Sequence, residues 1–86
     1  MEVTAEFHGL IVHSRGHLSD NELREIQEFV EGRDFNLALE TLCGFLIDRN
    51  RKVNHELFIR IHSLGERLDG VDPSLVESVR AIVEPG

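Results

Sequence analysis

Five histidines, one cysteine and sixteen carboxylates are the first side chains to weigh for binding a metal, attacking a bond or moving a proton. His55 and His62 fall on one face of a helical stretch, together with Ile59 and Glu66. A zinc site takes three or four converging ligands, and the sequence holds neither an HExxH pattern nor a Cys/His cluster. These histidines are expected at the surface, where the chemistry open to them is a pH-sensitive contact with a partner. His13 and His17 stand four apart, but Gly16 lies between them and breaks the helix that would align them. Cys43 sits in the apolar run Leu42-Cys43-Gly44-Phe45-Leu46, the setting of a small buried hydrophobe rather than of a nucleophile. A single cysteine permits no internal disulfide and no Cys-based metal motif.

Paired catalytic acids need surroundings that drive their pKa values apart, which a cleft supplies and a very small domain rarely does. Here the carboxylates cluster instead. Residues 20 to 48 hold Asp20, Glu22, Glu25, Glu28, Glu31, Asp34, Glu40 and Asp48 against only Arg24 and Arg33. Six net negative charges therefore fall in that stretch, out of −7 for the whole chain. Pairs Asp20–Arg24 and Arg24–Glu28 are expected along the second helix. Glu40 stands out on the narrow polar strip of an otherwise apolar helix, near Gly44, where it meets either an arginine of this chain or a partner. An excess of acid opposes phosphate binding, so nucleic acid is excluded as a direct ligand and a basic protein is the natural partner. No GxGxxG, Walker or GxSxG pattern occurs, and tyrosine and tryptophan are absent. The expectation is a binding protein with no enzymatic activity, cofactor or metal.

Five helices must position these groups, and no strand pattern competes with them. The first runs near Glu2–Ser14, with Val3, Phe7, Leu10 and Ile11 on one stripe, and ends at Gly16. Ser19-Asp20-Asn21-Glu22 is a capping box, with Leu18 and Leu23 placed as a hydrophobic staple. The helix it opens continues to about Glu31, where Gly32 is expected to supply a left-handed terminus. The third, about Phe35–Arg49, is apolar around most of its circumference and is read as the buried middle of a bundle. Arg49, Arg51 and Lys52 follow near its end, where cations suit the helix dipole. Asn54 caps a fourth helix to about Asp69, with Val53 and Phe58 as a second staple, and Asp72-Pro73 opens a fifth that runs toward Glu84-Pro85. The fold expected is all-α: one domain over residues 1–86, a compact bundle of four to five short helices around the central one. No run approaches the roughly 20 apolar residues of a membrane span, and the start lacks a basic secretory signal, which together point to the cytosol.

The stretch Glu31-Gly32-Arg33-Asp34-Phe35-Asn36-Leu37-Ala38-Leu39-Glu40-Thr41-Leu42-Cys43 resembles the core of the MafI-family immunity proteins, in which a helix ends at Glu-Gly and the next reads Ala-Leu-Glu-x-Leu. The resemblance covers roughly residues 7 to 70, and the tail from Val71 looks unconstrained. It implies a bacterial cytosolic antidote, with no catalytic residues, that binds and blocks a cognate toxin domain, often a ribonuclease. Such a toxin is basic because it must hold nucleic acid, which matches the acidic charge. Glu31, Asp34 and Glu40 carry over as contacts, and Glu25 and Glu28 join them on the acidic face, with the free protein a monomer or weak dimer. The other reading is a small helical adaptor acting by homo- or hetero-oligomerisation, with Phe29, Phe58 and Ile59 at its interface.

Overall fold

The computed structural model describes residues 3–48 and 52–84. They form α1 (Val3–Ser14), α2 (Asp20–Glu31), α3 (Phe35–Asp48), α4 (His55–Arg67) and α5 (Pro73–Arg80). The expected positions Glu2, Arg49, Arg51 and Pro85 lie outside the described residues.

Short polar side chains start three of these helices by accepting from amides that have no turn before them. The capping box forms as the sequence indicates. Ser19 Oγ accepts from the Glu22 amide at 3.2 Å, and Glu22 Oε1 accepts from the Ser19 amide at 2.8 Å. Asn54 Oδ1 accepts from the Leu57 amide at 2.7 Å. Asp72 Oδ1 accepts from the Ser74 amide and hydroxyl, each at 2.9 Å, which holds its carboxyl below the usual range. Pro73 then takes the first turn of α5.

The helix ends depart more from expectation. α1 does stop at the expected Ser14, whose buried hydroxyl donates back to the Leu10 carbonyl at 2.8 Å, with Gly16 in the turn that follows. Gly32 is not left-handed: its φ is −81°, and the left-handed residue is Arg33 at φ 62°. α5 ends at Arg80 rather than near Glu84. Beyond it the chain turns back, so that the Val53 amide donates to the Ile82 carbonyl at 3.0 Å and the Glu84 amide to the Val53 carbonyl at 2.8 Å. This isolated parallel bridge between Val53 and Val83 constrains a tail that had looked free.

α3 lies against α2, α4 and α5, and α1 closes over α2 and α4. It reaches α3 as well, through Phe7 stacked on Phe35 at 5.7 Å between ring centres. Ala38, Leu39, Leu42, Cys43 and Leu46 of α3 are all fully buried, together with Phe7 and Leu10 of α1, Ile26 of α2, and Leu57 and Ile61 of α4. In α5 the fully buried residue is Val79, joined by Val76 at 6% exposure, while Leu75 and, beyond the helix, Ile82 pack at the margin. The radius of gyration, 11.5 Å, is that of a tightly folded chain of this length, for which about 12 Å is normal. α3 is central but not wrapped on every side. Leu37 is 45% exposed, and Phe45 and Ile47 are only partly covered.

Candidate functional site

α2 buries Ile26 and Val30 and turns the opposite face outward, which leaves Asp20, Arg24, Glu25, Glu28 and Glu31 exposed. Glu22, on the same helix, is 6% exposed and committed to the capping box. The expected Asp20–Arg24 and Arg24–Glu28 pairs do not form, and among the described residues Glu25, Glu28, Glu31 and Glu40 join no ion pair. Along this face Gln27 Nε2 donates a long hydrogen bond to Glu31 Oε2 at 3.4 Å.

Asp34 and Glu40 come together where α2 hands over to α3. They line a shallow hollow of about 420 Å³ with Arg33, Phe35, Asn36, Leu37 and Leu68. The structure thus divides the sequence-predicted residues in two. Glu25, Glu28 and Glu31 run along α2, and Asp34 and Glu40 share the hollow beside them. Glu40 is half-buried and, among the described residues, meets no arginine of this chain. Asn36 was not foreseen here. Its amide donates to the Asp69 carbonyl and fixes the α4–α5 connection against the start of α3. That connection turns at Gly70, whose φ of +91° suits glycine.

Ion pairs seen among the described residues involve α1, α4 and α5. Arg67 meets Glu6 at 2.6 Å and joins α4 to α1. Arg60 lies 3.8 Å from Glu56, and Arg80 lies 3.0 Å from Glu77. His62 Nδ1 lies 3.4 Å from Glu66 within α4. Charge also divides unevenly along the sequence. Residues 20–48 hold eight acids and two bases, whereas residues 49–86 hold six of each.

Compared with protein-family models, with curated proteins and with solved structures, the chain finds no match. Function has to be argued from the site.

A second hollow, about 380 Å³, lies between α4 and α5 and is lined by His62, Gly65, Glu66, Val71, Pro73, Val76 and Glu77. His55 is exposed one turn before Ile59, away from this lining. Among the described residues no three histidines, cysteines or carboxylates gather as metal ligands. Cys43 is fully buried, and its thiol is pushed up to about 12 by burial and then by the charge of Glu40. A thiol held protonated in this way is a poor nucleophile. Phe58, expected at an interface, is instead 5% exposed beneath the Arg80 guanidinium, which sits 4.8 Å from its ring centre. Phe29 is half-buried, and of the three aromatic and aliphatic interface candidates only Ile59 is open, at 51%. No described helix is long and apolar enough to cross a membrane.

Proposed function

We propose that this chain is an immunity protein of the MafI type, a cytosolic antidote that binds a basic toxin domain through the acidic face of α2 and α3. One observation carries the reading: Glu25, Glu28, Glu31, Asp34 and Glu40, on α2, α3 and the loop between them, join no ion pair among the described residues, whereas Glu6, Glu56, Glu66 and Glu77 of α1, α4 and α5 each face a base. Left unneutralised, Glu25, Glu28, Glu31, Asp34 and Glu40 set up a negative potential that steers a positive surface and fixes its orientation. A nuclease toxin presents such a surface because its own substrate is a polyanion. The antidote would succeed by covering that surface, without chemistry of its own.

The test is to mix the purified protein with the toxin domain encoded beside its gene. Toxin activity should fall stoichiometrically, and association should weaken as salt rises from 0.05 to 0.5 M (roughly a fall in screening length from ~14 to ~4 Å). A toxin domain that keeps full activity in a molar excess of this protein would end the proposal.

A second reading, a helical adaptor that oligomerises, has one feature in its favour. Val12 on α1 and Ile59 on α4 are each 51% exposed. Light scattering separates the two, since an obligate dimer at low micromolar concentration favours the adaptor and a monomer favours the antidote.

A further inference from the structure

We infer that the outward stripe of α3, formed by Leu37, Glu40, Thr41, Gly44 and Asp48, is where the basic partner lays its backbone, with Gly44 at the point of closest approach. This rests on the reading of the chain as a binder of a basic protein, and adds where that protein sits. At ~100° per residue the five positions fall within about 100° of arc, on the side of the helix opposite Leu39 and Leu46.

Gly44 is the telling residue. A glycine in the middle of a helix weakens it relative to alanine, so a reason within the fold is to be expected. There is none: a Cβ built there would meet nothing within 4 Å, and its φ is not left-handed. By contrast, Gly65 would bring a Cβ to 3.2 Å from Val76, and Gly70 needs its positive φ. What Gly44 provides is bare backbone on an open helix face, flanked by side chains of two kinds. Leu37 lies two turns before it and is 45% exposed, an apolar seat. Glu40 and Asp48 lie one turn to either side, about 12 Å apart along the axis at 1.5 Å per residue. Neither joins an ion pair among the described residues.

The chemistry of the occupant follows. It is a protein segment that brings its main chain against Gly44, sets two lysine or arginine side chains about two helical turns apart on Glu40 and Asp48, and covers Leu37 with an apolar group. A second copy of this chain does not fit, because the stripe contains no base and two copies would set carboxylate against carboxylate. Phosphate-rich ligands fail for the same reason.

Gly44→Leu and Glu40→Gln test this against the toxin domain encoded beside the gene, with Ser63→Leu on exposed α4 as the steric control and circular dichroism to check folding. The parent should bind, Ser63→Leu should bind equally well, and Gly44→Leu and Glu40→Gln should each lose at least about tenfold in affinity, as residues at the centre of an interface do. Parent-like affinity in both α3 variants would overturn the placement on α3 while leaving the antidote reading intact. Absence of binding by the parent would overturn both. Should Gly44→Leu fail to fold, Glu40→Gln decides alone, since it keeps shape and removes only the charge. Amide chemical shifts of Leu37, Thr41 and Gly44 in labelled parent should move on complex formation, and shifts confined to α1 and α4 would also overturn the placement.

Discussion

The Asp34 amide donates to the Phe29 carbonyl at 2.9 Å, and the Arg33 amide within that loop donates to the Val30 carbonyl at 3.1 Å. These two bonds are the paired closure of a Schellman terminus, with Arg33 at the position glycine usually takes. A left-handed L-residue costs about 1 kcal/mol or more, so Arg33→Gly should raise stability by about 1 kcal/mol. The urea midpoint should move up with an unchanged slope. Arg33→Ala, which keeps the strain and removes the guanidinium, should leave the midpoint near that of the parent. Equal gains from both would mean that charge, not backbone, is responsible.

Why the sequence misplaces this residue is a matter of competing magnitudes. Gly32 is the better left-handed residue by about 1 kcal/mol, but the helix must also keep Val30, 2% exposed, in the core, and burying such a side chain is worth about 1.5–3 kcal/mol. Packing outweighs the local preference, and no window of sequence contains packing. The starts at Ser19, Asn54 and Asp72-Pro73 were legible because a cap is a bargain among four neighbouring residues. The Val53–Val83 bridge was not, since two valines thirty positions apart carry no mark of each other. For the site, the excess of acid and the place of Glu40 on the polar strip of α3 could be read directly, whereas its lack of an arginine partner could not. The ion pair between α1 and α4 could not, because Arg67–Glu6 exists only once α1 has docked on α4.

Gly44→Ala should stabilise the free protein. The added methyl meets nothing within 4 Å, and alanine in a helix interior is favoured over glycine by about 0.5–1 kcal/mol. Thermal melting of the two proteins at matched concentration measures this. A lower melting temperature for alanine would mean that Gly44 serves the fold after all.

Cys43 predicts a specific alkaline weakness. Its ordinary value is 9.0, and in the folded protein it rises to about 12, through burial first and the charge of Glu40 second. Below pH 9 the thiol keeps its proton folded or unfolded, and the full stability is present. As pH climbs from about 9 toward 12 the unfolded chain loses this proton while the native one retains it, so unfolding gains ground. Stability should decline over that window, and less steeply in Cys43→Ala, which is weaker at neutral pH because of its cavity. The native thiol should also resist a disulfide reagent at pH 8 until denaturant is added. Rapid modification of folded protein would contradict its burial.

The closing bridge gives a test of the tail. Glu84→Pro removes the amide that donates to the Val53 carbonyl at 2.8 Å, and loss of one such bond should lower stability by about 1 kcal/mol. Because Val53 also flanks the start of α4, amide exchange at Leu57 and Phe58 should quicken in the variant. An unaltered urea midpoint would show that the tail adds nothing to the fold.

Reversal of charge at two places distinguishes a local acidic face from mere net charge. Glu25→Lys/Glu28→Lys and Glu56→Lys/Glu66→Lys alter the total by the same amount, and all four side chains are exposed. The first pair lies on α2, and neither Glu25 nor Glu28 joins an ion pair among the described residues. The second lies on α4, where Glu56 and Glu66 already face Arg60 and His62. Neither pair should unfold the protein, since exposed charges contribute little to stability. Steering depends on the potential at the contacting face, so the α2 pair should slow association with a basic toxin domain by at least about tenfold at low ionic strength and flatten its salt dependence. The α4 pair should change the rate far less. Stopped-flow association over a salt series reads both, and equal slowing by the two pairs would reduce the acidic face to bulk charge.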